Sequence, residues 1–578
     1  MIELINTIEN EIITILHTLN IEADVKVVDG NRPELGQYQY NGVMALAKKN
    51  GFTPLELAEK ICEKLNELDI IESATIAGVG FVNINFTKTA IIKQVEKTFD
   101  EIKLLGAPKN KTIVMDYCGA NVAKTLHVGH LRSSNIGEAI KRLTRKMGYK
   151  VIADVHFGDW GRQMGMIIAE IQERHPDLVF FDEKYDGEYP TVSPVTSKDL
   201  EEIYPTANIK AKENEEFLNK CRRATYELQS GRRGYRALWK LFVGESLKPV
   251  IEVINYLNLT FDLYEGESTV NDMIKPMVEE LTNKNIAHES NGAIVIDVAE
   301  ENEKIEVPPF IVLKSDGAAM YSTTDLATIL SREQRFKPSE IWYVADNRQS
   351  LHFLQLFRAA RKAHFVSDDV ELKFFGFGTM NGADGRPFKT RDGGVMSALT
   401  LIDNVKQSIN KKLQENGAED NKICDAITNA TLKFADLSNN RETDFIFDVD
   451  KFSALEGKTG PYIQYTTVRA NSVLNKAGYD SSLLKLEEID NKAYMDVLLN
   501  IIKAPMVLER AFEQKAINLI CDYVFTLSNS FNNFYSSTKI LSEQDEKKKK
   551  AYLKVCELVS RVNTEFLDIL AISVPEKM

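Results

Sequence analysis

Two histidines, His127 and His130, stand where a loop passes into a helix, and this placement suits phosphate chemistry. The apolar run 112–115 predicts a buried strand before the loop, and apolar residues at helical spacing over 131–143 predict the helix after it. The first turn of a helix exposes backbone N–H groups, so a phosphate bound there would meet amides as well as two imidazoles. Gly129, between the histidines, allows a ligand to approach the backbone closely.

Two other interpretations of the histidine pair stay open at this point. A metal site of the metalloprotease type needs a glutamate after the first histidine and a spacing of four, whereas Val128 follows His127 and the spacing is three. Structural histidines without a ligand are the other alternative. We favour phosphate binding and expect no protein-bound metal.

The longer string around the histidines resembles the HIGH signature of class I aminoacyl-tRNA synthetases. Asn121 lies six residues before the first histidine and Leu131-Arg132-Ser133 follow the second, a string similar to that of the arginyl-tRNA synthetases. The resemblance implies that the histidines contact ATP and stabilise the charge of the transferring phosphorus. It also implies that Asn121 binds the α-ammonium or carboxylate of the amino acid. The residues 118–120 replace a more common family run that ends in proline, and Thr125 replaces a frequent proline.

A second basic segment resembles the KMSK signature of the same class in a weakened form. Arg386 stands where the first lysine would be, and Lys389 matches the second. The segment follows a strand-like run at 372–375, as a loop beside a sheet would. The resemblance implies that both residues bind ATP, that Lys389 is catalytic, and that Mg²⁺ arrives with ATP rather than on a protein site or prosthetic group.

Selection of arginine calls for carboxylates, because a guanidinium is planar, always charged and offers forked donors. Glu267 and Asp325 lie in strings that resemble the arginyl family. Tyr321 is four residues before Asp325, which places both on one face of a helix, and an aromatic ring beside an acid suits a flat cation. The string 346–353 resembles a segment that frames the amino-acid and adenosine pockets. The resemblance implies arginine contacts from Asn121, Glu267, Tyr321, Asp325 and Gln349, and ATP contacts from His127, Gly129, His130, His352, Arg386 and Lys389.

Composition limits the class of protein. A chain of 578 residues predicts three or four domains, and 44% hydrophobic with 27% charged residues is ordinary for a globular protein. The cysteines are scattered, the N-terminal segment is acidic and no apolar run reaches membrane-spanning length, so we expect a cytoplasmic protein without a membrane partner. The net charge of −13 argues against non-specific nucleic-acid binding but permits a structured RNA at local basic patches such as 141–146.

The N-terminal region, 1–105, is predicted to be a small α+β domain. Helices are expected at 3–19 and at 54–68, the second with Thr53 as N-cap, and two short strands within 73–86. Strings at 36–41 and 80–83 resemble the N-terminal domain of arginyl-tRNA synthetases, which leans on the elbow of the tRNA. That resemblance implies RNA contacts from Asn83, Asn85 and Phe86.

Over 106–395 strands alternate with helices, which predicts an α/β, Rossmann-type catalytic domain with a parallel sheet. Its strands are expected at 112–115, 150–157, 310–313 and 341–345, with a helical insertion around 175–305. A connecting region that contacts the tRNA stem is expected at 396–455. Helical periods dominate 456–578, and the string 460–469 resembles the family's entry into an all-helical anticodon-binding domain. This implies tRNA contacts from Tyr462 and Gln464.

The resemblance therefore implies an arginine–tRNA ligase, which makes arginyl-adenylate from arginine and ATP and transfers arginyl to the 3′-terminal ribose of tRNA. We expect a monomer. One alternative is a class I synthetase of another amino acid, although the zinc ligands of the cysteinyl enzyme are missing and the glutamyl enzyme would want basic residues at Glu267 and Asp325. The others are a non-catalytic synthetase-like tRNA-binding protein and a small-molecule nucleotidyltransferase, which would leave the helical C-terminal part unexplained.

Overall fold

The computed structural model describes residues 3–578 except 31, 33–34, 302, 304–305, 316–318, 383, 387, 389–395 and 416–419. The N-terminal region folds as helices around an antiparallel sheet of strand order β1-β2-β4-β3. Its elements are α1 (Glu3–Thr18), β1 (Val27–Asp29), β2 (Tyr38–Tyr40), α2 (Val43–Asn50), α3 (Pro54–Leu65), β3 (Ile71–Ala77), β4 (Phe81–Phe86) and α4 (Lys88–Leu105). Thr53 caps α3 as predicted, because its Oγ accepts from the Glu56 amide while the Glu56 carboxylate accepts from the Thr53 amide.

A four-stranded parallel sheet forms the centre of the catalytic region, in the order β11-β10-β5-β6. It consists of β5 (Lys109–Asp116), β6 (Tyr149–Asp154), β10 (Glu340–Asp346) and β11 (Glu371–Phe377), and α5 (Val128–Lys146) connects the first two. The chain leaves β5 toward β6 on one side and returns later to β10 on the other side. Ligands of such sheets bind outside the carboxyl ends of the strands at this switch in direction.

The run 310–313 is a strand, but our assignment of it to the parallel sheet is wrong. It forms β9 (Phe310–Leu313) of a separate antiparallel sheet with β7 (His288–Ser290) and β8 (Ala293–Ile296). A short apolar run indicates a buried strand without indicating its partners. The segment expected to be a helical insertion thus ends in strands. Helix α6 (Arg162–Arg174) precedes this segment, which contains the helices α7 (Ser197–Glu213), α8 (Glu215–Gln229), α9 (Arg233–Tyr256) and α10 (Asn271–Asn283).

The remaining elements are mostly helical. The catalytic region also contains α11 (Tyr321–Phe336), α12 (Ser350–Lys362), β12 (Met380–Asn381) and, paired with it, β13 (Phe445–Ile446). The helices after the sheet are α13 (Ala398–Glu415), α14 (Asn421–Leu437), α15 (Val449–Phe452), α16 (Gly460–Ala477), α17 (Lys492–Ile501), α18 (Ala504–Gln514), α19 (Asn518–Ser537) and α20 (Glu546–Ile569). Within the described residues, every helix is too short or too polar to cross a membrane.

Helix α5 is buried along most of its length, and its basic residues are used inside the protein. Lys141 is fully buried and pairs with Glu138 at 2.7 Å. Arg142 pairs with Glu138 at 2.7 Å and with Asp568 near the end of α20 at 2.8 Å. Lys141 and Arg142 therefore attach α5 to its neighbours and offer little surface to RNA.

Candidate active site

A cavity of about 600 Å³ lies outside the carboxyl ends of β5 and β10, at the predicted switch in strand direction. Its walls bring together residues from distant parts of the sequence. The sequence-predicted residues that line it are Asn121, His127, Gly129, His130, Glu267, Tyr321, Asp325, Gln349 and His352. Arg386 lies outside this lining in an exposed turn, and Lys389 falls outside the described residues.

The two histidines hold each other at the start of α5. His127 is the N-cap: its Nδ1 accepts from the Gly129 amide at 3.1 Å, and its own amide donates to Nδ1 of His130 at 3.1 Å. A ring nitrogen that accepts from an amide carries no proton, so a neutral imidazole carries it on Nε2. Both histidines therefore present an Nε2–H donor. Gly129 is required between them, because a Cβ there would lie 2.9 Å from the His127 ring.

Both histidines are neutral near pH 7. Burial lowers the pKa of His130 to about 3, and the neighbouring His127 ring and Lys124 ammonium act in the same direction. Burial, Lys124 and Arg348 likewise lower the pKa of His127. The pair can donate hydrogen bonds to an anion but adds no net charge. Lys124 and Arg348 are not among the predicted site residues, although Lys124 lies between Asn121 and His127 and Arg348 lies within the family-like string 346–353.

Two carboxylates, those of Glu267 and Asp325, also line the cavity. Glu267 begins a short 3-10 helix, Glu267–Val270, and burial with the nearby charge of Asp325 raises its pKa to about 8. Asp325 lies in the second turn of α11 and accepts from Nε2 of His352 at 2.7 Å. The ring of Tyr321, at the start of α11, lies 5.0 Å from that of His352. His352 therefore contacts both Asp325 and Tyr321, and its ATP contact stays a prediction.

Asn121 lies in the loop between β5 and α5. Its backbone forms an isolated bridge with Gly158, which follows β6. A side chain at position 158 would collide with Oδ1 of Asn121, since a Cβ there would lie 2.4 Å from that oxygen. Gln163 donates to the same oxygen at 3.4 Å. In the same loop, burial raises the pKa of the Cys118 thiol to about 11, so this cysteine is no nucleophile at neutral pH.

A buried charge cluster supports the cavity floor, and sequence reasoning did not find it. Nη2 of Arg332 donates to Asp116 at 2.7 Å and to Asp154 at 2.8 Å. His156 lies 3.2 Å from Asp154, and although burial alone would lower its pKa, this bond and the charge of Asp116 raise it. These two carboxylates and His156 are the single group of metal-type ligands among the described residues. Arg332 already compensates the carboxylates, so the cluster does not fit a resident metal ion.

The basic loop that carries Arg386 is attached to α5 at both ends. At its exit, the Val128 amide donates to Met396 O at 3.3 Å, and the segments at 127 and 397 form an antiparallel bridge. At its entry, Arg132 pairs with Asp436 at 3.0 Å and donates to the carbonyl of Gly378 at 2.6 Å. Arg132 is fully buried. The helix of the histidines thus determines where the loop begins and ends.

The residues predicted to contact tRNA differ in accessibility. Phe86 and Gln464 are buried, with exposed fractions of 1% and 0%, and Gln464 donates to the carbonyls of Ala426 and Ser573. A side chain packed inside a domain offers no surface to RNA, which corrects both assignments. Asn83 is also buried and accepts from Gln39 at 2.8 Å. The other two, Asn85 and Tyr462, keep an exposed part.

Family models match almost all of the chain. The model described as "Arginyl tRNA synthetase N terminal domain" matches residues 3–86. The model "tRNA synthetases class I (R), catalytic domain" matches 94–449, and "DALR anticodon binding domain" matches 463–578.

Curated relatives and solved structures agree with these models. An arginine–tRNA ligase of Agathobacter rectalis is 43% identical and covers 100% of both chains. One of Alkaliphilus oremlandii is 45% identical over 96% of this chain and 95% of the relative. The arginyl-tRNA synthetase structure from Plasmodium falciparum superposes with a TM-score of 0.80 at 22% identity, covering 100% of this chain and 99% of that one. The Thermus thermophilus structure gives 0.75 at 20% identity and covers 100% of both chains, so the fold is shared.

Proposed function

The chain belongs to the arginyl-tRNA synthetase family and is a class I ligase that joins arginine to tRNA with ATP; we propose how the residues of its cavity divide this work. One side of the cavity binds the phosphates of ATP and the other binds the guanidinium of arginine. A single observation carries the proposal: two Nε2–H donors at a helix start and two carboxylates line the same cavity.

In the activation step, a carboxylate oxygen of arginine attacks the α-phosphorus of ATP. The bond from that phosphorus to the bridging oxygen breaks, and arginyl-adenylate and pyrophosphate are formed. A carboxylate is already a nucleophile, so the protein contributes positioning and charge stabilisation rather than a general base. His127 and His130 donate to phosphate oxygens, and Lys124, Arg386 and Lys389 supply positive charge. Mg²⁺ comes as the ATP complex.

Glu267 and Asp325 select arginine. The guanidinium lies between Glu267 and Asp325, whose carboxylates accept its forked donors, and Tyr321 covers its face. His352 holds Asp325 in place through the 2.7 Å bond. Asn121 and Gln349 bind the polar end of the amino acid and direct its carboxylate toward the phosphate side. An uncharged amino acid offers no cation to these half-buried acids and should bind weakly.

In the transfer step, a hydroxyl of the 3′-terminal ribose attacks the carbonyl carbon of arginyl-adenylate, and class membership implies the 2′-hydroxyl first. The carbonyl carbon–AMP bond breaks, and the hydroxyl proton passes to the departing phosphate. The N-terminal domain (1–105), the connecting region (396–455) and the helical domain (456–578) bind elbow, stem and anticodon of the tRNA. Asn85 and Tyr462 are the contact candidates that keep exposed surface. Cytoplasmic location and a monomeric state stay predictions.

Charging assays test the proposal. Purified protein is incubated with ATP, Mg²⁺, a mixed tRNA pool and each amino acid separately, and we expect charging with arginine alone. Replacement of both His127 and His130 by alanine should abolish charging. The matched control is His17→Ala, which removes an exposed histidine near the end of α1 and should leave charging unchanged. Charging with another amino acid, or full activity without the two histidines, would overturn the proposal.

A further inference from the structure

The described residues that line the cavity carry little positive charge for the phosphates. ATP brings several negative charges there, yet both histidines are neutral because their pKa values are lowered. Stabilisation of phosphoryl charge is a major part of catalysis in this chemistry. Among the described residues that line the cavity, Arg348 alone is an arginine or lysine.

The guanidinium of Arg348 is held in a defined orientation. It belongs to a short 3-10 helix, Asn347–Gln349, that follows the carboxyl end of β10. The Asp346 carboxylate accepts from Nε at 2.8 Å, from Nη2 at 2.7 Å and from the backbone amide at 2.9 Å. A bidentate pair fixes the plane of a guanidinium. Asp346 does not use Nη1, and the side chain is 81% exposed at the mouth of the cavity.

The position of Arg348 relative to the histidines indicates which phosphates it meets. Arg348 and His127 line the same cavity, and Arg348 lies close enough to act on the pKa of His127, an effect that Asp346 opposes. The Arg348 side chain is mostly exposed, whereas Asn121 and His130, which line the same cavity, are half-buried. The α-phosphate has to lie near the attacking carboxylate, so the outer phosphates point toward the mouth and Arg348.

We propose that Arg348 is a catalytic residue that binds the β- and γ-phosphates of ATP and then the departing pyrophosphate, an assignment that rests on the proposed function. When the α-phosphorus–oxygen bond breaks, its electron pair stays on the pyrophosphate oxygen. Arg348 compensates this added negative charge through Nη1, and no proton is transferred. Asp346 orients the guanidinium through its two side-chain hydrogen bonds.

Steady-state charging by full-length Arg348→Gln tests the assignment. Loss of a charge-assisted hydrogen bond predicts a fall in kcat/KM for ATP on the order of 10- to 100-fold. KM for arginine and KM for tRNA should stay within about twofold, because these substrates use other contacts. The inhibition constant of pyrophosphate should rise in parallel, since the product uses the same guanidinium. Arg348→Lys keeps the positive charge but not the forked donors of the guanidinium. Its kcat/KM for ATP should therefore lie between the values for wild type and Arg348→Gln.

The matched control is Arg223→Gln. Arg223 is 75% exposed, pairs with Glu227 at 2.6 Å and lies on α8 outside the cavity, so its loss changes net charge equally and should leave all constants unchanged. An unchanged kcat/KM for ATP in Arg348→Gln, or an unchanged pyrophosphate inhibition constant, would overturn the assignment. So would a rise in KM for tRNA alone, which would assign Arg348 to an RNA phosphate. Wild-type charging in the same assay shows independently whether the proposed function holds.

Discussion

Arginine binding should release a proton from Glu267. Burial and the charge of Asp325 raise the pKa of this carboxyl to about 8, so at pH 7 the empty site holds it mostly protonated. A guanidinium between the two acids favours the ionised form, as any adjacent cation does. The proton must therefore leave when arginine binds, and the apparent affinity for arginine has to depend on pH.

The size of the effect follows from that pKa. Because only the ionised form binds well, KM for arginine should fall by about 15-fold between pH 6.5 and pH 8. At pH 7 binding should release about 0.9 proton. His156 and Asp159 also face Glu267, and their own ionisation can change the affinity for arginine. The difference between the pH dependence of KM in wild type and in Glu267→Gln therefore gives the contribution of Glu267.

Titration calorimetry in buffers of different ionisation enthalpy measures the released proton. A heat of binding that is independent of the buffer at pH 7 would refute the reasoning, as would the same pH dependence of KM in Glu267→Gln.

The stability of the fold gives a second check. A carboxyl whose folded pKa is raised stabilises the fold fully below its unfolded pKa and loses this contribution as pH rises through about 8. Without arginine, the free energy of unfolding of Glu267→Gln should therefore rise by about 1.4 kcal/mol relative to that of wild type from pH 7 to pH 9.

Three further substitutions have separable outcomes. Asp325→Asn should raise KM for arginine by at least about 30-fold and change KM for ATP little, because it removes one partner of the substrate cation; equal effects on both would take Asp325 out of the specificity role. His130→Ala should lower kcat on the order of 100-fold with KM for arginine nearly constant, and an unchanged kcat would take it out of the phosphate site. Arg132→Lys keeps the pair with Asp436 but loses carbonyl bonds at the loop entry, so kcat should fall on the order of 10-fold; a matching rise in KM for arginine would contradict this positioning role.

The parts of the site that could be predicted are local in sequence. Hydrophobic periodicity within a few tens of residues predicts the strand, loop and helix around His127. Tyr321 and Asp325 lie four residues apart on one helix, so their shared face follows once α11 is predicted. The Arg332 cluster could not be found in this way. Arg332 meets Asp116 and Asp154 only after residues far apart in sequence are assembled by the sheet, and no spacing rule connects them.

Accessibility was the weaker part of the prediction. Phe86 lies next to Asn85 on β4, and successive residues of a strand face opposite sides, so the two could not both face RNA. That rule was available from the sequence, whereas the burial of Gln464 between α14 and the C-terminal segment depends on tertiary packing. The separate sheet of β9 is a similar case, because an apolar run does not specify its neighbour.

The spacing of the histidine motif has a physical reason that its family resemblance does not supply. An N-cap residue and the residue three positions later can satisfy each other's exposed groups, and here imidazoles replace the usual hydroxyl and carboxylate. Nδ1 of each ring accepts a hydrogen bond from a backbone amide, which fixes the Nε2–H tautomer before any ligand binds. Preorganised donors lose little freedom when the reaction occurs, which favours the transition state. Because the same burial that orients His130 also keeps it neutral, the positive charge has to come from arginine and lysine side chains around it.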